Sequence, residues 1–148
     1  MTKVLSVLAV AAVAVFAAGC GNGEQNAYVD QVNALQTQLV DAVTAATTPP
    51  PANAQEAAAI PGELETAFTQ MADDLEAVTP PSEVADLNDQ LVTTIRDIAG
   101  QFADADAALS SGNAQQAQQA LTDLQTSITQ GQTKLTSLID QINSALGN

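Results

Sequence analysis

The chain has 148 residues, with 3 Lys+Arg against 17 Asp+Glu, no His, no Trp and one Cys, and a formal net charge of −14. Without His and with a single Cys, neither a Ser-His-Asp triad nor a Cys-His pair can be built, and a His- or Cys-ligated zinc or haem site lacks material within one chain. The acidic balance argues against nucleic acid as a partner, because Lys and Arg must replace the counterions on the phosphates. The length fits one domain.

The first segment reads as a targeting sequence. Lys3 gives a positive start, and Val4 to Ala18 then runs without a charge and is almost wholly apolar. A run of about 15 residues suits a signal-peptide core, whereas a spanning helix needs about 20. It ends in Ala17-Ala18-Gly19-Cys20. A small-residue box directly before a cysteine resembles the bacterial lipoprotein signal, although Ala17 stands where that family usually carries Leu. The resemblance implies removal of a signal peptide spanning 1–19 and a covalent diacylglyceryl or acyl lipid on Cys20. It also implies a location on the outer face of the cytoplasmic membrane or the cell surface. The plainer alternative is a secretory signal cut after Ala17 or Ala18, which leaves an unpaired thiol in an exported protein. Each buried CH₂ contributes about 0.8 kcal/mol, so two or three chains on Cys20 make a stable anchor without a basic patch. Residues 20–26 are expected to form a short flexible tether, and 27–148 the folded domain.

Four helical stripes follow in chain order. Tyr28, Val32, Leu35, Leu39, Ala42 and Ala46 mark the first, which Thr47 to Pro51 closes with stacked prolines that lack N–H donors. Asn53 and Glu56 have the spacing of a capping box, and Pro61 suits the first position of the second helix proper. Ile60, Leu64, Phe68, Met71, Leu75 and Val78 form the second stripe, ended by Pro80-Pro81. Ser82 is the expected cap of the third helix, whose stripe is Val84, Leu87, Leu91, Ile95, Ile98, Phe102, Ala105 and Leu109. After the Ser110-Ser111-Gly112 turn, Asn113 is expected to cap a fourth helix. Its stripe runs Ala117, Leu121, Leu124, Ile128, Gly131, Leu135, Leu138, Ile142 and Ala145. Alternating steps of four and three suit a bundle seam. Sustained strand alternation is absent, so the expected fold is all-α, an antiparallel up-down-up-down four-helix bundle.

The candidate chemistry is thin. Eleven acids, from Glu63 to Asp106, fall on the second and third helices. Asp73, Asp74, Glu76, Glu83 and Asp86 around the Pro80-Pro81 turn are the residues to weigh as a divalent-cation site. They lack the spacing of a calcium loop, and a solvated acidic face explains them more simply. Paired carboxylates for glycoside hydrolysis would need aromatic platforms, and a di-iron bundle of the usual kind would need Glu-x-x-His. Folding about Pro80-Pro81 sets Arg96 opposite Glu65 and brings Lys134 near Asp86 and Asp89. Tyr28, Phe68 and Phe102 lie on the stripes and read as core, and Gly131, at a stripe position, marks a close helix approach, a slight kink or a small cavity.

The mature region, with Asn26 to Asn33 after the cysteine and the Val78-Thr79-Pro80-Pro81 break, loosely resembles small helical lipoproteins of high-GC, actinobacterial-type bacteria. That resemblance brings no catalytic motif. The expectation is a membrane-anchored, non-catalytic envelope lipoprotein binding a protein partner through the weakly charged fourth helix and the loops 47–61 and 110–113. A small-ligand or cation-binding bundle and a passive spacer are the other readings.

Overall fold

The computed structural model describes residues 23–147, and the segment expected to be a signal peptide, 1–19, lies outside them together with Cys20. The described residues are all-α: α1 (Gly23–Thr47), α2 (Ala54–Ala77), α3 (Ala85–Ser110) and α4 (Ala114–Ala145). They form a four-helix bundle in which α1 packs on α2, α2 on α3 and α3 on α4. No described helix is long and apolar enough to cross a membrane.

The helix ends follow local chemistry, with three departures from the sequence expectation. α1 starts at Gly23, so residues 23–26 belong to the helix and not to a tether; Glu24 sits in its first turn, where a negative charge opposes the helix dipole favourably. α2 starts at Ala54, so Pro61 lies inside it. Asn53 Oδ1 accepts from the Gln55 and Glu56 amides, and Glu56 reaches back to the Ala52 N–H at 2.7 Å. A cap this complete starts the helix seven residues before the proline. Pro61 removes the N–H that would bond Ala57 O, but Ala57 is exposed and water can satisfy that carbonyl, while the ring itself is buried. Ser82 does not cap α3. Its hydroxyl lies 3.2 Å from Glu83 Oε2, and Val84 occupies the N-cap with no side-chain bond. Val84 is fully buried, so core packing fixes this helix start. Asn113 does cap α4, accepting from the Gln115 and Gln116 amides.

Contacts between helices show their relative direction. Gly62 of α2 approaches Asp106 of α3, Phe68 stacks on Phe102 with centroids 5.3 Å apart, and Arg96 meets Asp73 and Glu76. Rising numbers on α2 meet falling numbers on α3, so the pair is antiparallel. The same holds for α3 and α4, where Ser127 donates to Gln101 Oε1 at 3.1 Å and Gly131 faces Ile98. The register is offset. Extended along α2, it leaves about the first two turns of α3 beyond the end of α2. In that overhang Tyr28 of α1 donates to Asn88 Oδ1 at 3.0 Å, with both residues buried.

The core joins residues of all four helices. Tyr28, Val29 and Val32 meet Leu64, Phe68 and Leu75, with Leu91, Ile95 and Phe102 from α3 and Ile128 and Ile142 from α4. At Gly131 an added Cβ would lie 2.8 Å from Ile98 Cδ1, so a larger residue there would force the Ile98 side chain to shift. Burial falls along α1: Leu35, Leu39, Val43 and Ala46 are only partly covered.

Two outcomes are expected. Gly131→Val should cost about 1–3 kcal/mol in urea unfolding through overpacking. Adding Ile98→Ala should make the pair less destabilised than the sum of the single changes. Tyr28→Phe should cost about 1–3 kcal/mol, because Asn88 loses its buried donor. Burial pushes the Tyr28 phenol up to about 12, against about 10 in an unfolded chain. Its contribution is therefore complete below about pH 10 and is lost as pH rises toward 12. Urea unfolding of Tyr28→Phe should show a flatter dependence across that window.

Candidate functional site

The acidic residues proposed for a cation site are not gathered by the fold. Asp73 and Glu76, one turn apart on α2, both point to the Arg96 guanidinium at 2.9 and 2.6 Å. Asp74 accepts from Gln70 Nε2 at 2.9 Å, and Glu83 lies beside Ser82. Asp86 lies in the first turn of α3, with its backbone carbonyl accepting from Gln90 Nε2 at 3.2 Å. Among the described residues no group of three or more Asp, Glu, His or Cys is placed to hold a metal ion.

Arg96 pairs with Asp73 and Glu76, not with Glu65. The α2–α3 offset carries it past Glu65 toward the end of α2. The bonded Arg96 guanidinium holds the Glu76 carboxyl below its usual value, and the two carboxylates push the Arg96 pKa upward. All three side chains are largely exposed, so this is a surface network. Lys134 makes no ion pair with Asp86 or Asp89.

Lys134 instead lines a groove of about 470 Å³ between α3 and α4. Gln90 borders it from α3, and Thr129, Gln130, Thr133, Ser137 and Gln141 from α4, with buried Leu138 at its base. Steps of three and four along α4 bring these residues to one flank. None of the lining side chains is acidic, in a chain with 17 acids. Several donors are already used by the helix. The Thr129 and Thr133 hydroxyls bond the carbonyls four residues earlier, each at 3.0 Å, and Gln141 Nε2 bonds Ser137 O at 3.1 Å. The groove is therefore rich in acceptor oxygens and has one cation, Lys134.

The weak charge of the fourth helix was visible in the sequence, but the groove was not. It depends on Gln90 coming alongside α4, and a solvated Gln has no signature in a linear pattern. Ala17, Ala18, Gly19 and Cys20 lie outside the described residues.

Comparison of the chain with protein-family models, characterised proteins and solved structures finds no significant match.

The Arg96 network gives a direct test. In Arg96→Gln, the Glu76 carboxyl should titrate at a higher pH than in the parent chain, where the guanidinium holds it down. A depressed carboxylate stabilises above its unfolded pKa and loses that contribution as pH falls through the folded value. Side-chain NMR titration of both proteins reads the shift. An unchanged Glu76 would remove Arg96 as its cause.

Proposed function

We propose that the protein is a lipid-anchored lipoprotein of the bacterial cell envelope that works by binding and carries out no catalysis. Its acylated Cys20 would hold an up-down-up-down bundle at the outer face of the membrane, with α4 and the distal loops as the surface that meets a protein partner. The observation that carries this reading is the division of charge. Eleven acids lie between Glu63 and Asp106, while α4 carries Asp123, Asp140 and Lys134 along 32 residues. A partner docking on α4 desolvates few charges, and burying charge is the costly part of making an interface.

The anchor sets the orientation. Only Gly21 and Asn22 separate Cys20 from the start of α1, and α1 at 1.5 Å per residue carries the chain about 37 Å outward. In an upright bundle the Thr48–Asn53 linker and the Ser111–Asn113 turn stand farthest from the bilayer. The Val78–Val84 segment and the end of α4 return toward it. Because α2 begins at Ala54, the loop available to a partner on the first side is Thr48–Asn53 and not the longer 47–61 stretch.

The test combines mass spectrometry with crosslinking in cells. The mature N-terminus should be Cys20 carrying acyl chains. Photo-crosslinkers at exposed α4 positions such as Gln118 and Gln125 should capture a discrete partner. Replacing Thr48–Asn53 or Ser111–Asn113 with Gly-Ser sequence should reduce that capture. A free Cys20 thiol would overturn the anchor. Capture from α2 in place of α4 would overturn the assignment of the binding face.

A further inference from the structure

The α3–α4 groove combines one unpaired cation, an apolar base and surrounding acceptor oxygens, and this combination selects a narrow chemistry. Lys134 Nζ offers three donors, and among the described residues no carboxylate is paired to them. Gln90 and Gln141 turn their Nε2 groups back to Asp86 O and Ser137 O, which leaves their Oε1 atoms to accept from a ligand. Leu138 supplies an apolar floor, and the volume falls in the roughly 300–1,000 Å³ range of small-ligand sites.

We infer that this groove binds the C-terminal end of a short peptide. The terminal carboxylate would pair with Lys134, the adjacent amide N–H would donate to the Gln90 or Gln141 carboxamide oxygen, and a small apolar side chain would rest on Leu138. A simple anion meets the first requirement but brings no donor for the glutamines, and it has no apolar group for the floor. A cation is opposed by Lys134 itself. A neutral amide leaves the ammonium without a counter-charge. The peptide terminus is the class that satisfies all three features together, because charge-assisted bonds at the carboxylate add to amide hydrogen bonds.

The inference rests on the reading of α4 as the binding face but is separable from it. The experiment titrates the ¹⁵N-labelled full chain in detergent micelles with N-acetyl-Ala-Ala bearing a free carboxylate, with its C-terminal amide, and with acetate. The free acid should give saturable shifts centred on Gln90, Thr133, Lys134 and Ser137. The amide and acetate should bind at least tenfold more weakly. Lys134→Gln should reduce binding of the free acid to the level of the amide, with helical circular dichroism unchanged. Gln90→Ala should weaken the free acid while leaving acetate unaffected. Equal binding of acid and amide, shifts centred elsewhere, no saturable response, or full affinity in Lys134→Gln would overturn the inference. If crosslinks map to α4 while no peptide binds, the inference fails and the adaptor reading stands. If the peptide saturates the groove while crosslinks avoid α4, the adaptor reading fails instead.

Discussion

The hydrogen bond from Tyr28 to Asn88 fixes how α1 joins the rest of the protein. Apolar stripes hold helices together but tolerate sliding, since one Leu or Val replaces another along a seam. A buried polar side chain does not tolerate it. Asn88 and Thr94 are the buried polar residues of the described core, and Thr94 bonds its own helix at Gln90 O. Asn88 therefore depends on another helix for its partner, and Tyr28 supplies it across 60 positions of sequence. Moving α1 by one turn would bury Asn88 Oδ1 without a donor, at a cost of about 1–3 kcal/mol. That exceeds what a single apolar contact loses on sliding, so the polar pair sets the register.

The offset between α2 and α3 makes that bond possible. If the two helices ended level, α2 would flank the first turns of α3. The Val78–Val84 connection is long enough to let α3 run past the end of α2, and Val84, buried at the start of α3, anchors the overhang. Tyr28 then reaches it from α1. The same offset decides the ion pairs. It carries Arg96 to Asp73 and Glu76, drawing two of the five candidate cation ligands into a surface network and leaving the other three apart.

The helices and their apolar stripes were legible because a 3.6-residue period is a one-dimensional signal. Leu64, Phe68, Leu75, Leu91, Ile95 and Phe102 sit where the spacing puts them, and all are buried. The residues that the stripes missed share a cause. Val92, Thr94 and Ala99 are buried because α3 packs against α2 on one side and α4 on the other, which widens its covered arc beyond one stripe. Ser82 and Pro61 were misplaced because capping and proline rules are local: a complete cap at Asn53 and the burial of Val84 outweighed them. The groove was illegible for a different reason. Its members are exposed Gln, Thr and Ser, which carry no periodic signal, and one member comes from another helix.

Charge is distributed in a way the packing does not require. A bundle needs polar residues outside its seam, and Asp, Glu, Gln or Thr meets that need equally well. α2 and α3 carry eleven of the 17 acids, whereas the outward positions of α4 are mostly Gln, Thr and Ser. Thr is a poorer helix former than Glu or Gln, by some tenths of a kcal/mol at each position. The hydroxyls of Thr122, Thr126, Thr129 and Thr133 bond back to carbonyls four residues earlier, which slightly loosens a helix. α4 thus gives up helix propensity without gaining core contacts in return. What that composition does provide is a face almost free of charge, on a protein with a formal net charge of −14. Stability alone gives no reason to keep such a face, whereas the binding role proposed for α4 would.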